Sequence, residues 1–210
     1  MNTVEVTYNN NIKSFEELYY HANKQFLLYE SLEGIDDWEE YNFSIDCSED
    51  QMKFKDILQI RFVEELTEAS VSLEEPDEHF WEEIGDSINF FLSAFTMLGV
   101  DFSTLPDPQE YLYSDEISDN KVMEKPSYEK FSLSVYPVIE GVGYLCNLLK
   151  NRPWAQSNYL VSLLDFDERL LLLWKSFWIF LGGMKIQPKD VFELFWRKYQ
   201  VNLFRINTGY

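Results

Sequence analysis

The chain has 210 residues, 46% apolar and 17% aromatic, enough for a packed core, which excludes wholesale disorder. Its 37 acidic residues outweigh 17 basic ones, for a net charge of −20. A surface of that sign repels phosphate backbones, so no nucleic-acid partner is expected, and any phosphate chemistry needs locally gathered bases or a cation. Two cysteines, Cys47 and Cys146, make no disulfide framework and fit a reducing, cytoplasmic setting as ordinary core residues. The opening MNTVEVTYNNNIKSF has neither a basic n-region nor an apolar h-region, and no signal peptide is expected.

Asn9 to Asn11 place a loose tail over residues 1–13. A first helix follows, with Ser14 as N-cap, acids in its first turn and Gly34 as its stop. Residues 35–50 are acidic and read as a loop with a short helical turn. A second helix spans 49–73, where Phe54, Leu58, Phe62 and Ala69 recur at helical spacing with Leu66 beside them. Pro76 breaks it. A third helix covers about 79–99. Ile84, Ile88, Phe91, Phe95 and Leu98 form one stripe on it, and Phe90, Ala94 and Met97 a second. A helix apolar around more than half its girth is buried on two sides and belongs at the centre of a bundle.

Residues 103–128 are acidic and proline-bearing, without helical period, and read as a long surface loop. Helices are expected at about 131–150, 165–181 and 188–204, separated by Pro153 and by the Gly182–Gly183 pair, with Pro188 suited to a first turn. The most apolar run, LLLLWKSFWIFLGG, is interrupted by Lys175 and falls short of a bilayer span, so no membrane partner is expected. Strand-like alternation persists nowhere. The expected fold is all-α, a single domain over residues 1–210 with about six bundled helices.

Carboxylates carry the chemistry. Glu65 and Glu68 are spaced i, i+3 on the second helix, and Glu83 and Asp86 are spaced i, i+3 on the third. Each pair projects from one side of its helix, and an antiparallel hairpin brings all four face to face. Any single E-x-x-E is cheap in so acidic a chain: Glu30 and Glu33 form another, and Glu64 and Glu82 offer alternative i, i+4 pairings. The second pair is distinguished by its place on the flank of Phe90, Ala94 and Met97. Acids there are costly without a partner, the only basic residue near either pair in sequence is Arg61, and a hard divalent cation relieves the conflict. Di-iron bundles require Glu-x-x-His pairs; His21 and His79 complete none, and His79 is given no role. No zinc spacing, glycine-rich phosphate loop or nucleophile elbow is present.

On the last helix Phe192, Phe195, Tyr199 and Leu203 make a core stripe. Lys198, Asn202 and Arg205 recur at i, i+4 and i+7 as a separate polar stripe, suited to phosphate oxygens or to the helix dipole. The sequence ends NLFRINTGY.

Taken together, Glu65-x-x-Glu68, Glu83-x-x-Asp86 and this ending resemble the all-α nucleoside triphosphate pyrophosphatases, which include MazG proteins, dimeric dUTPases and phage dCTP pyrophosphatases. Lys198, Asn202, Arg205, Gly209 and Tyr210 match a C-terminal pattern K-N-x-x-N-x-x-R-Q-x-x-G-Y, and EIGDSINFF is similar to E-L-x-D-x-x-H-F. Tyr199, Ile206 and Asn89 replace the usual Asn, Gln and His. The resemblance implies hydrolysis of a deoxynucleoside triphosphate, foremost dUTP and also dUDP, with dCTP or broader MazG-like action as alternatives. It implies two or more Mg2+ ions held by Glu65, Glu68, Glu83 and Asp86, with Glu65 or Glu68 as general base. Lys198, Asn202, Arg205 and Tyr210 would bind phosphates from a tail at 205–210 folded over the metals. Lys175 either joins them or snorkels. Gln25, Trp38 and Asn89 are candidates for reading the base, and a homodimer is expected. The non-enzymatic alternative is an acidic DNA mimic that inhibits a DNA-binding protein.

Overall fold

The computed structural model describes residues 12–32, 43–114, 123–149 and 162–208. Among them every regular element is helical, so the all-α expectation holds. The elements are α1 (Phe15–Leu32), α2 (Ser48–Lys55), a π-helical turn (Asp56–Phe62), α3 (Val63–Val71), α4 (Asp77–Met97), α5 (Tyr128–Leu148), α6 (Leu163–Gly183) and α7 (Pro188–Thr208). The Ser14 hydroxyl accepts the Glu17 N–H at 3.1 Å, and the Glu17 carboxylate accepts the Lys13 N–H at 2.6 Å. One orphan donor at the start of α1 is satisfied in this way, and the residue before the cap is tied to the first turn.

The expected second helix is continuous but not uniform. Phe54, Leu58, Phe62 and Leu66 are each four residues apart and all buried. In an ideal α-helix three such steps drift a stripe by roughly 120° around the axis. The π turn holds more residues per turn and absorbs that drift, so all four side chains reach one core while α2 and α3 flank the turn.

The centre is α4, which packs against α1, the π turn, α3 and α7. From α6, Phe177 meets Phe91 of α4 with ring centroids 4.1 Å apart, and Trp174 stacks on the same ring. Helices α5 and α6 pack on each other behind it. The buried apolar side chains form one continuous core.

The reading of 103–128 as a surface loop needs correction in its first part. Two 3-10 turns, Phe102–Thr104 and Pro108–Glu110, dock on the bundle with Leu105 and Leu112 buried. Trp174 Nε1 donates to Pro106 O at 2.8 Å, and the Tyr113 N–H donates to Ile186 O at 3.1 Å. A Cβ on Gly182 would lie 2.0 Å from Tyr111 O, so glycine admits the loop onto α6. Prolines and isolated leucines carry no period, and this docking left no periodic trace in the sequence. Farther along, Lys125 bonds the Leu73 and Glu75 carbonyls and pairs with Asp77 at 3.2 Å, which clamps the turn between α3 and α4. Residue Ile12 of the expected loose tail is buried as well. Among the described residues no single helix is long and apolar enough to cross a membrane.

Candidate functional site

Helix α4 brings Glu83, Asp86 and Asn89 down one side at i, i+3 and i+6. Glu83 is 7% exposed although it carries a carboxylate. Helix α3 lies antiparallel beside α4 and adds Glu65. Carboxylate oxygens of Glu65, Glu83 and Asp86 all lie within 4.8 Å of one another. Ligand oxygens around a hexacoordinate magnesium are about 3 Å apart when adjacent and about 4 Å when opposite. Small side-chain movements would therefore close the three onto one ion, and the cluster could hold a metal. Glu68, the fourth expected ligand, is exposed and outside this trio.

Crowded acids without a cation hold protons. Burial, then the nearby Asp86 charge, a hydrogen bond with Glu83 and the remaining Glu83 and Glu68 charges push Glu65 up to about 8. Burial also raises Asp86, against the opposing pull of Lys198.

The polar stripe of α7 arrives from the other side of α4. Gly85 makes this possible, since a Cβ there would stand 3.3 Å from Leu194 O. The close approach sets α7 in register, and one turn further on Lys198 forms an ion pair with Asp86. The expectation that the acid pairs have no basic partner is corrected by this contact, which joins residues far apart in sequence. A second side chain stands at the pair: His79 Nδ1 lies 3.3 Å from Glu83 Oε1, and Glu75 and Glu82 also flank its ring. As an isolated histidine at a helix start, His79 offered no signal that it would sit beside a buried glutamate.

Beside the carboxylates opens a cavity of about 470 Å3. Glu65 and Asp86 stand in its wall, as do Lys198, Asn202 and Arg205. Asn202 is 6% exposed, whereas Arg205 is open to water. Helix α7 runs on to Thr208, so Arg205 reaches the cavity from a continuing helix rather than from a folded-back tail. Lys53 and Arg61 also line the cavity, Lys53 paired with the buried Glu30. A chain with 17 basic residues thus gathers four of them around one cavity. Lys53 was missed in the sequence because it belongs to no periodic polar stripe, and Glu30 was read only as half of a commonplace E-x-x-E.

The third wall is amide. Gln25 of α1 is 2% exposed, and its Nε2 donates to Asn89 Oδ1 at 3.0 Å. Gln25 Oε1 is buried without a hydrogen-bond partner among the described residues. A buried amide oxygen so left is costly unless a ligand donor or water meets it. Lys175 is half-buried on α6 and does not line this cavity. Trp38, Gly209 and Tyr210 lie outside the described residues.

Comparisons with family models, with curated proteins and with solved structures found no match to this chain. Its own residues therefore carry the functional reading.

Proposed function

We propose that this protein is a magnesium-dependent deoxynucleoside triphosphate pyrophosphatase, acting foremost on dUTP. One observation carries the reading: Glu65 and Asp86 of the carboxylate trio, a Lys-Asn-Arg stripe from α7 and a buried amide pair line one cavity, with Glu83 of the trio behind them. Those are the three chemistries a nucleotide presents, namely metal-bound phosphate, free phosphate oxygens and the polar edge of a base. An acidic DNA mimic would spread its acids over the surface and would gain nothing from burying Glu83 or lining a cavity with bases.

Glu65, Glu83 and Asp86 would hold the magnesium, with Glu68 one turn along α3. A bound magnesium ion neutralises phosphate charge and lowers the pKa of a water for attack on the α-phosphorus. Lys198, Asn202 and Arg205 then bind the β- and γ-phosphate oxygens and hold the pyrophosphate leaving group in line. A glutamate of the α3 pair accepts the proton of the attacking water. Gln25 and Asn89 meet the base. An amide presents both a carbonyl and an amino group, so it can pair with uracil and, after rotation, with cytosine. Purine nucleotides are expected to be poor substrates on size alone. The enzyme works as a cytoplasmic homodimer in this proposal.

The test is hydrolysis of dUTP, dCTP, dATP and dGTP with magnesium, compared by kcat/KM. The highest value is expected for dUTP and the second for dCTP, with pyrophosphate as product. A purine preference would refute the choice of base and favour a MazG-like role. No hydrolysis of any of the four would refute the activity.

A further inference from the structure

The ammonium of Lys198 occupies a position that the proposed chemistry requires elsewhere. It is seated on Asp86 Oδ2, a carboxylate of the trio, and both side chains are largely withdrawn from water. The same lysine lines the cavity next to Asn202 and Arg205. One cation cannot neutralise Asp86 and also grip a phosphate oxygen at full strength. Two partners compete for each group: Lys198 and a metal for Asp86, Asp86 and a phosphate for Lys198.

We propose that Lys198 is an exchangeable counter-cation, displaced from Asp86 by the divalent ion and thereby released to bind polyphosphate. The proposal rests on the metal reading above and adds an order to it. Metal alone pays to break the Lys198–Asp86 pair. Polyphosphate alone finds its lysine engaged and the carboxylates uncompensated. Together each removes the other's obstacle, so the two bind synergistically, as a coupling free energy requires. Such a site takes the metal–polyphosphate complex in preference to either component and does not fill with free phosphate. The flexible four-carbon stem of lysine suits it to this exchange, because its three donors re-aim without a fixed plane.

Three measurements on the full chain test this. Mn2+ binding is titrated calorimetrically for the wild-type protein, Lys198→Met and Asp86→Asn. Lys198→Met is expected to bind Mn2+ alone about tenfold more tightly, the size of a partly screened interaction at this depth. It is expected to bind the preformed Mn2+–pyrophosphate complex about tenfold more weakly than wild type. Displacement itself is read without any variant, by acetic anhydride labelling of Lys198 followed by mass spectrometry. Labelling should rise severalfold on adding Mg2+ and fall again on adding pyrophosphate. Unchanged labelling with Mg2+ bound would overturn the exchange, as would Lys198→Met binding both probes like wild type. Failure of the metal reading looks different: wild type would then bind no Mn2+, or Asp86→Asn would bind it undiminished.

Discussion

Replacing Glu65 with Gln removes a carboxyl that the metal-free site keeps protonated, and the consequence is a change in how stability depends on pH. The neighbours and burial raise its pKa from the ordinary 4.5 to about 8. In the unfolded chain the same carboxyl ionises at its ordinary value. Below that value the group is neutral in both states and costs nothing. As pH rises toward about 8, the unfolded state gives up its proton first and gains relative to the folded state, so stability is lost progressively across this window. At about 1.4 kcal/mol for each tenfold change in proton affinity, the whole rise corresponds to roughly 5 kcal/mol. The side chain keeps contact with water, and solvent screening reduces this to about 2 kcal/mol. For a chain of this size that is a Tm change of about 4–8 °C. The assay is thermal unfolding in EDTA from pH 5 to pH 8.5, wild type beside Glu65→Gln. The variant should match wild type at the acid end and exceed it by several degrees at the alkaline end. Added Mg2+ should raise the Tm of wild type most where EDTA lowered it most. Parallel curves across the window would refute the account of Glu65 as a crowded, protonated carboxyl.

Glu83→Gln and Asp86→Asn should each abolish magnesium-dependent hydrolysis with helicity intact by circular dichroism, and full turnover in either would remove the carboxylates from the chemistry. Arg205→Met should raise KM about tenfold and leave Tm within about 1 °C, since Arg205 is exposed and its loss removes a charge-assisted contact only when substrate is bound. Unchanged kinetic constants would take Arg205 out of the phosphate wall. Gly182→Ala should destabilise by about 1–3 kcal/mol, because its Cβ would enter the space of Tyr111 O and the neighbour is backbone rather than a flexible side chain. Denaturant unfolding measures it, and an unaltered midpoint would mean that the docked segment is free to move aside.

Helix periodicity is a local property, so the sequence by itself determined the all-α class and the extents of most helices to within a turn. It also determined that Glu83 lies on a buried flank of a central helix, because Phe90, Ala94 and Met97 flank that line and fix its environment. The polar stripe of Lys198, Asn202 and Arg205 was visible for the same reason. Only the tertiary structure decided which of these groups meet. Glu65 joins the trio and Glu68 does not, since two side chains at i, i+3 diverge by about 60° around the axis and the rotation of α3 is set by its packing on α4. Lys198 reaches Asp86 because α7 approaches over Gly85, a contact between segments more than a hundred residues apart that no window of the sequence contains. Gln25 finds Asn89 across 64 residues in the same way. A helical wheel tells a side chain which way to face but not what stands opposite, and in this protein the charges that would bind metal and phosphate are opposite one another only after α1, α3, α4 and α7 have packed.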